Sequence, residues 1–156
     1  DLVFIDTDQD WNPMDFFRML DHDVELVGAP VVKKSDLEQY NVRMDAFAEI
    51  QENGLVKVDS VGTGFMRISK SALSKIWETC EEYQELHKDQ PSRSVFEVRV
   101  LDGVLQSEDV VFCEKWKQLG GEVWLDPVVN CGHSGHKRWV GNFVDWWKVV
   151  KSYNKQ

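Results

Sequence analysis

The chain has 156 residues, 42% of them apolar, which is enough to enclose one core and too few for two independent domains, so 1–156 is expected to be a single domain. Its 27 acidic residues outnumber 18 basic ones, and a net charge of -9 would repel a phosphate backbone, which argues against nucleic acid as a partner. No apolar stretch approaches the roughly 20 residues needed to cross a bilayer, and Cys80, Cys113 and Cys131 form no CxxC pair, so a soluble protein of a reducing, cytoplasmic compartment is expected.

Leu2 to Ile5 is a continuous apolar run that ends in acidic residues, the pattern of a buried strand whose carboxyl end opens into a loop. Because the chain is already in a strand at its first residues, further residues upstream are expected. Asn12 before Pro13 marks a helix start, with Phe16, Phe17 and Leu20 on one face through Asp21. Val24 to Ala29 reads as a second strand stopped by Pro30. Lys33 to Gly54 has no firm period and is expected as a mobile loop, helical in part near Asp45 to Gln51.

Leu55 to Val61 and Phe65 to Ile68 read as strands separated by Gly62-Thr63-Gly64, where the glycines signal close backbone approach or an unusual turn. Leu73, Ile76, Trp77, Cys80 and Tyr83 recur at helical spacing and predict a helix from Ser71 to near His87. Val95 to Leu105 reads as a hairpin turning at Asp102-Gly103. Ser107 is placed to cap a helix from Glu108 to Leu119, ended by Gly120-Gly121. Short strands at Glu122 to Leu125 and Val128 to Val129 flank Pro127, a loop spans Cys131 to Trp139, and a last helix runs from Asn142 to Tyr153.

Three of these segments hold residues suited to chemistry. Asp6-Thr7-Asp8 sets two carboxylates at a strand exit, hard oxygen ligands that suit Mg²⁺ or Mn²⁺. A calcium loop is excluded, since it needs glycine where Trp11 stands and an acidic residue where Phe17 stands. Two other readings stay open: aspartates that solvate a turn, or a phosphatase of the haloacid-dehalogenase type with Asp6 as nucleophile, although that family expects Thr or Val in place of Asp10. Glu108 and Asp109 fit a helix first turn, where acidic residues meet the helix dipole favourably. Equally, Asp109 could accept the proton of an attacking hydroxyl while Glu108 holds the acceptor.

Cys131 to His136 is loop-like and rich in ligand types, but no fourth zinc ligand is evident; one imidazole completing a carboxylate site is the more economical reading. Lys137 and Arg138 follow, either to meet phosphate oxygens or simply to be solvated. Of seven tryptophans, Trp77, Trp116, Trp146 and Trp147 fall on predicted helices and are expected in the core, whereas Trp11 and Trp139 adjoin polar loops and are candidates for stacking on a sugar.

Read together, LVFIDTDQDWNP, VGTGFMRIS, SEDVVFCEKWKQLGGEVWLDP and HSGHKRWVG resemble the GT-A glycosyltransferases, particularly small family-2-like enzymes of phages and bacteria, over residues 1 to 141. The resemblance implies an α/β domain with a mixed sheet flanked by helices. It implies an inverting, metal-dependent transfer from a nucleotide-diphosphate sugar, UDP- or GDP-linked, to the hydroxyl of a carbohydrate or other acceptor. By position, Asp6 and Asp8 are similar to the family's DxD, Asp109 to its base and His133 to its late metal ligand, with Mn²⁺ or Mg²⁺ expected. Gly62, Thr63, Gly64 and Phe65 would line the sugar and acceptor cleft. The family places its nucleotide-binding strands before the DxD, where this sequence has five residues. The resemblance therefore extends to the metal and acceptor part of such an enzyme. A carbohydrate-binding remnant without catalysis is the remaining alternative.

Overall fold

In a computed structural model, which describes residues 1–154, the chain alternates short strands and helices. Strand β1 (Leu2–Ile5) matches the apolar run, and the chain turns after it into β2 (Gln9–Asp10) through a Gln9 N–H to Asp6 carbonyl bond of 3.1 Å. Helix α1 (Pro13–Asp21) starts where Asn12 accepts the Met14 N–H, and β3 (Leu26–Gly28) follows. Next come β4 (Val42–Arg43), β5 (Val56–Val58), β6 (Ser60–Val61) and β7 (Phe65–Ile68). Helix α2 (Lys70–Thr79) leads to β8 (Glu82–Tyr83), β9 (Ser92–Arg93) and the hairpin of β10 (Arg99–Leu101) and β11 (Val104–Gln106). Helix α3 (Glu108–Gln118), β12 (Val123–Leu125), β13 (Gly132–Ser134), β14 (Arg138–Trp139) and α4 (Phe143–Tyr153) complete it.

The central sheet runs β1-β7-β3-β12-β5, with β3 and β12 parallel and the other neighbours antiparallel, so it is mixed, as expected. Alternation along the strands makes two apolar faces. Leu26, Met66 and Ile68 join Ala72, Ile76, Phe112 and Trp116 on the side of α2 and α3. Val27 and Phe65 join Met19 and Val129 on the side of α1. Arg67 also faces α1 and is only 2% exposed; its guanidinium donates to the carbonyls of Met19, His22 and Val24 at 3.1, 2.5 and 2.6 Å, holding the turn between α1 and β3. Among the described residues no helix is long and apolar enough to cross a membrane.

Several segments differ from expectation for identifiable reasons. The stretch after Lys33 folds back as a flap: Val32 bridges Tyr40, the Lys33 N–H reaches the Gln39 carbonyl at 2.7 Å, and buried Tyr40 anchors it against Phe143. Asp45 to Gln51 is not helical, because Asp45 turns the chain by accepting the Phe47 N–H on its own side chain. Helix α2 stops at Thr79 rather than near His87, since Arg93 returns to donate to the carbonyls of Trp77, Glu78 and Cys80. Trp77, still within α2, lies 45% exposed rather than in the core, whereas Trp116 and Trp147 are buried.

Val128 and Val129 form no strand. Fully buried Asp126, bound by Arg18 at 2.5 Å and His22 at 2.7 Å, accepts the Val128 N–H and forces a turn there. The expected loop from Cys131 to Trp139 is instead the β13–β14 hairpin, which extends β2 into a three-stranded ribbon.

Candidate functional site

The ribbon and the carboxyl ends of β1 and β3 enclose a cleft of about 430 Å³. Its lining includes Asp6, Gln9, Lys33, Lys34, Thr63, Gly64, Glu108, Asp109 and His133, so five sequence segments converge there, among them the three that hold Asp6, Asp109 and His133.

Asp8 and His133 meet at its edge. The ribbon brings them together: the Ser134 N–H donates to the Asp8 carbonyl at 2.8 Å, and His133 pairs with Gln9 across the strands. His133 Nε2 lies 3.4 Å from Asp8 Oδ2, while its Nδ1 is 2.8 Å from the Val32 carbonyl. A carbonyl only accepts, so Nδ1 carries a proton; Nε2, turned toward Asp8, meets that carboxylate as a donor when the ring is charged and offers its lone pair to a cation when the ring is neutral. The Lys34 ammonium, carried by the flap, lies 2.6 Å from the same Asp8 oxygen. That hydrogen bond, with the nearby Lys34 and His133 charges and against some desolvation, holds the Asp8 carboxyl below its ordinary value.

In the Gly62-Thr63-Gly64 turn, Thr63 and Gly64 line the cleft, whereas Gly62 stands outside its lining beside Asp109. A side-chain carbon on Gly64 would stand 3.4 Å from Asp6 Oδ2, and one on Gly62 would stand 3.4 Å from Asp109 Oδ2 and collide with the Asn41 amide. Close approach is therefore what these glycines permit. Asp6 is tied to this turn through its N–H, which donates to the Gly64 carbonyl at 3.0 Å.

At the amino end of α3, Asp109 takes part in the helix start with one of its two oxygens. Ser107 has cap geometry, yet its hydroxyl donates to Asp109 Oδ1, which also accepts the Val110 N–H at 2.7 Å. One carboxylate oxygen is thus spent on the helix start, and Oδ2 is left beside Gly62. Asp109 is 8% exposed, whereas Glu108 at the same opening is exposed.

Other anticipated contacts fall outside the cleft lining. Phe65 is fully buried on the α1 face, where its ring meets Trp11 at 5.9 Å; the Trp11 ring also leans on Phe16 and is 38% exposed. Trp139 is buried beneath its hairpin, its ring edge-on to His136 and under the Lys137 ammonium, so it offers no open stacking face. Lys137 pairs with Asp36 and Arg138 with Asp10, and neither lines the cleft. Lys33 and Lys34 occupy the cleft instead. Their adjacent charges at the head of a polar segment were the available signal; the flap that aims them was not visible in its irregular composition.

For a divalent cation, Asp8 and His133 offer an oxygen and a nitrogen ligand in close proximity, with Asp6 lining the same cleft. Among the described residues no three His, Cys, Asp or Glu side chains gather into a cage. A cation that keeps phosphate and water ligands needs only one or two protein carboxylates, and this arrangement fits that requirement. The three cysteines are buried and unpaired; burial pushes the Cys113 thiol up to about 11 and Cys131 to about 12, so neither is a reactive thiolate.

No family model matches the chain, and no curated protein matches it. Among solved structures it is similar to A197 from STIV, with 20% identity and a TM-score of 0.54 over 90% of this chain. The likeness is one of fold, and the chain spans 65% of that protein's length.

Proposed function

We propose that this chain carries the cation-binding and acceptor-side part of an inverting, metal-dependent glycosyltransferase of GT-A type. The observation that carries the reading is the single cleft shared by Asp6, Thr63-Gly64, Asp109 and His133, with the Asp8 carboxylate 3.4 Å from the His133 imidazole. Chemistry of this kind needs groups that hold an anion, and a base, in one pocket, and the shared lining of Lys33, Lys34, His133 and Asp109 supports that reading.

Asp8 and His133, with Asp6 beside them, would hold Mn²⁺ or Mg²⁺. Bound there, the cation supplies Lewis-acid neutralisation of a departing diphosphate. Lys33 and Lys34 add positive charge to the same end for the phosphate oxygens of a UDP- or GDP-linked sugar. At the other end Asp109 Oδ2 takes the proton of an acceptor hydroxyl as its oxygen attacks the anomeric carbon from the face opposite the nucleotide, inverting that centre. Hydrogen bonds from Ser107 and Val110 fix the carboxylate so that only one oxygen is available, and exposed Glu108 is placed to hold the acceptor.

A screen of sugar nucleotides with Mn²⁺ and a set of sugar acceptors, read as released nucleoside diphosphate, tests this. Turnover by the wild type is expected to fall by about 10²- to 10⁴-fold in Asp109→Asn with the fold intact. Sugar binding indifferent to Asp109→Asn, with no turnover in either protein, would favour a non-catalytic carbohydrate-binding module. Phosphate release from simple esters would favour the phosphatase.

A further inference from the structure

Gln9 has no part in the reaction set out above, yet it lines the cleft and is 8% exposed. It stands directly opposite His133 in the β2–β13 ladder. Residues opposite one another in an antiparallel pair project to the same face, so the Gln9 side chain shares the cleft face with the imidazole. Both its Nε2 and its Oε1 are buried, and neither meets a hydrogen-bond partner among the described residues. An amide enclosed in this way is costly to a fold, and methionine or leucine would fill the space without that cost.

A ligand that satisfies both atoms must offer an acceptor to Nε2 and a donor to Oε1. A phosphate offers acceptors only and would leave Oε1 facing an anion; the lysines of the flap already serve that chemistry. Neighbouring hydroxyls of a sugar ring supply both functions at once.

Resting on the glycosyltransferase reading, we propose that Gln9, which lines the same cleft as His133 and Asp109 and whose buried amide has no partner among the described residues, is a specificity-determining residue that hydrogen-bonds the donor sugar hydroxyls.

The test is isothermal titration of the full chain with Mn²⁺, comparing UDP-glucose, UDP-N-acetylglucosamine and GDP-mannose with UDP and GDP, in wild type and Gln9→Met. The variant is expected to melt at or above the wild-type temperature without ligand and to bind UDP and GDP unchanged. It is expected to bind the preferred sugar nucleotide about tenfold more weakly or worse, the effect of one lost hydrogen bond. Unchanged affinity for every sugar nucleotide overturns the proposal while leaving the proposed function standing. A melting temperature several degrees lower would make the amide structural, and an equal loss for UDP or GDP alone would make it a nucleotide contact; either result overturns the proposal. A wild type that binds none of these compounds overturns the glycosyltransferase reading and this proposal with it, a failure visible before any variant is made.

Discussion

The Nε2 of His133 lies 3.4 Å from Oδ2 of Asp8, and that same oxygen holds the Lys34 ammonium at 2.6 Å. A divalent cation bound by Asp8 and His133 would compete with Lys34 for one oxygen. Lys34→Met is therefore expected to tighten Mn²⁺ binding roughly twofold to fivefold, the scale of an exposed ion pair. His133→Ala is expected to weaken it by at least about tenfold. Calorimetry of Mn²⁺ binding checks both, and equal affinities across the three proteins would remove the cation from this site.

Arg67 gives the largest expected loss of stability. Its guanidinium satisfies three main-chain carbonyls at the end of α1 and is nearly inaccessible to water. Arg67→Met is expected to cost about 3 kcal/mol or more, since each buried carbonyl left without a donor carries a desolvation penalty. The shift of the urea midpoint measures it; a change below about 1 kcal/mol would mean that water replaces the side chain.

The ribbon should weaken in acid. The Arg138 hydrogen bond, opposed by desolvation and aided by Ser134, lowers the Asp10 carboxyl below its ordinary value. A depressed carboxylate contributes stability above its unfolded pKa, about 3.9, and that contribution disappears as pH falls through the folded value. The difference in melting temperature between wild type and Asp10→Asn is thus expected to be constant near neutrality and to shrink below about pH 4. A difference that grows in acid would reverse the assignment.

Two adjacent glycines separate conformation from packing. Gly120 adopts φ +81° with open space around its α-carbon, so Gly120→Ala is expected to cost about 1 kcal/mol through the left-handed backbone alone. At Gly121 an added carbon would fall inside the ring of Trp116, which is 2% exposed and donates to the Glu122 carbonyl at 3.0 Å. Gly121→Ala is expected to cost more, about 2–3 kcal/mol, by displacing that indole. Denaturant unfolding of the two variants decides, and the reverse order would show that Trp116 yields easily.

The elements that were legible in the sequence are those whose determinants are local. Asn12-Pro13 starts α1, Asp102-Gly103 turns the β10–β11 hairpin with both residues at positive φ, and the apolar runs of β1 and β7 lie in the sheet. Asp6, Asp109 and His133 were recognisable as residue types in suggestive settings, and Gly62-Thr63-Gly64 was recognisable as a close approach. What escaped depends on distant partners. Arg93 ends α2 from thirteen to sixteen residues along the chain, Asp126 binds Arg18 and His22 from 108 and 104 positions away and turns the chain where a strand was expected, and polar β13 becomes a strand because β2 offers it an edge. The inward aim of Lys34 and Gln9 was hidden for the same reason: each is set by pairing partners remote in sequence.

The bond between Asp10 and Ser134 joins residues 124 positions apart, and it helps to fasten β13, which carries His133 into the cleft, onto β2. A nascent chain would therefore expose its acidic loop beneath the ribosome without a histidine opposite, and could complete the pocket only once β13 had emerged and docked. The meeting of Asp8 with His133 is in this way deferred until β13 has been made, and a product cut short before it would keep its carboxylates without the imidazole that faces them.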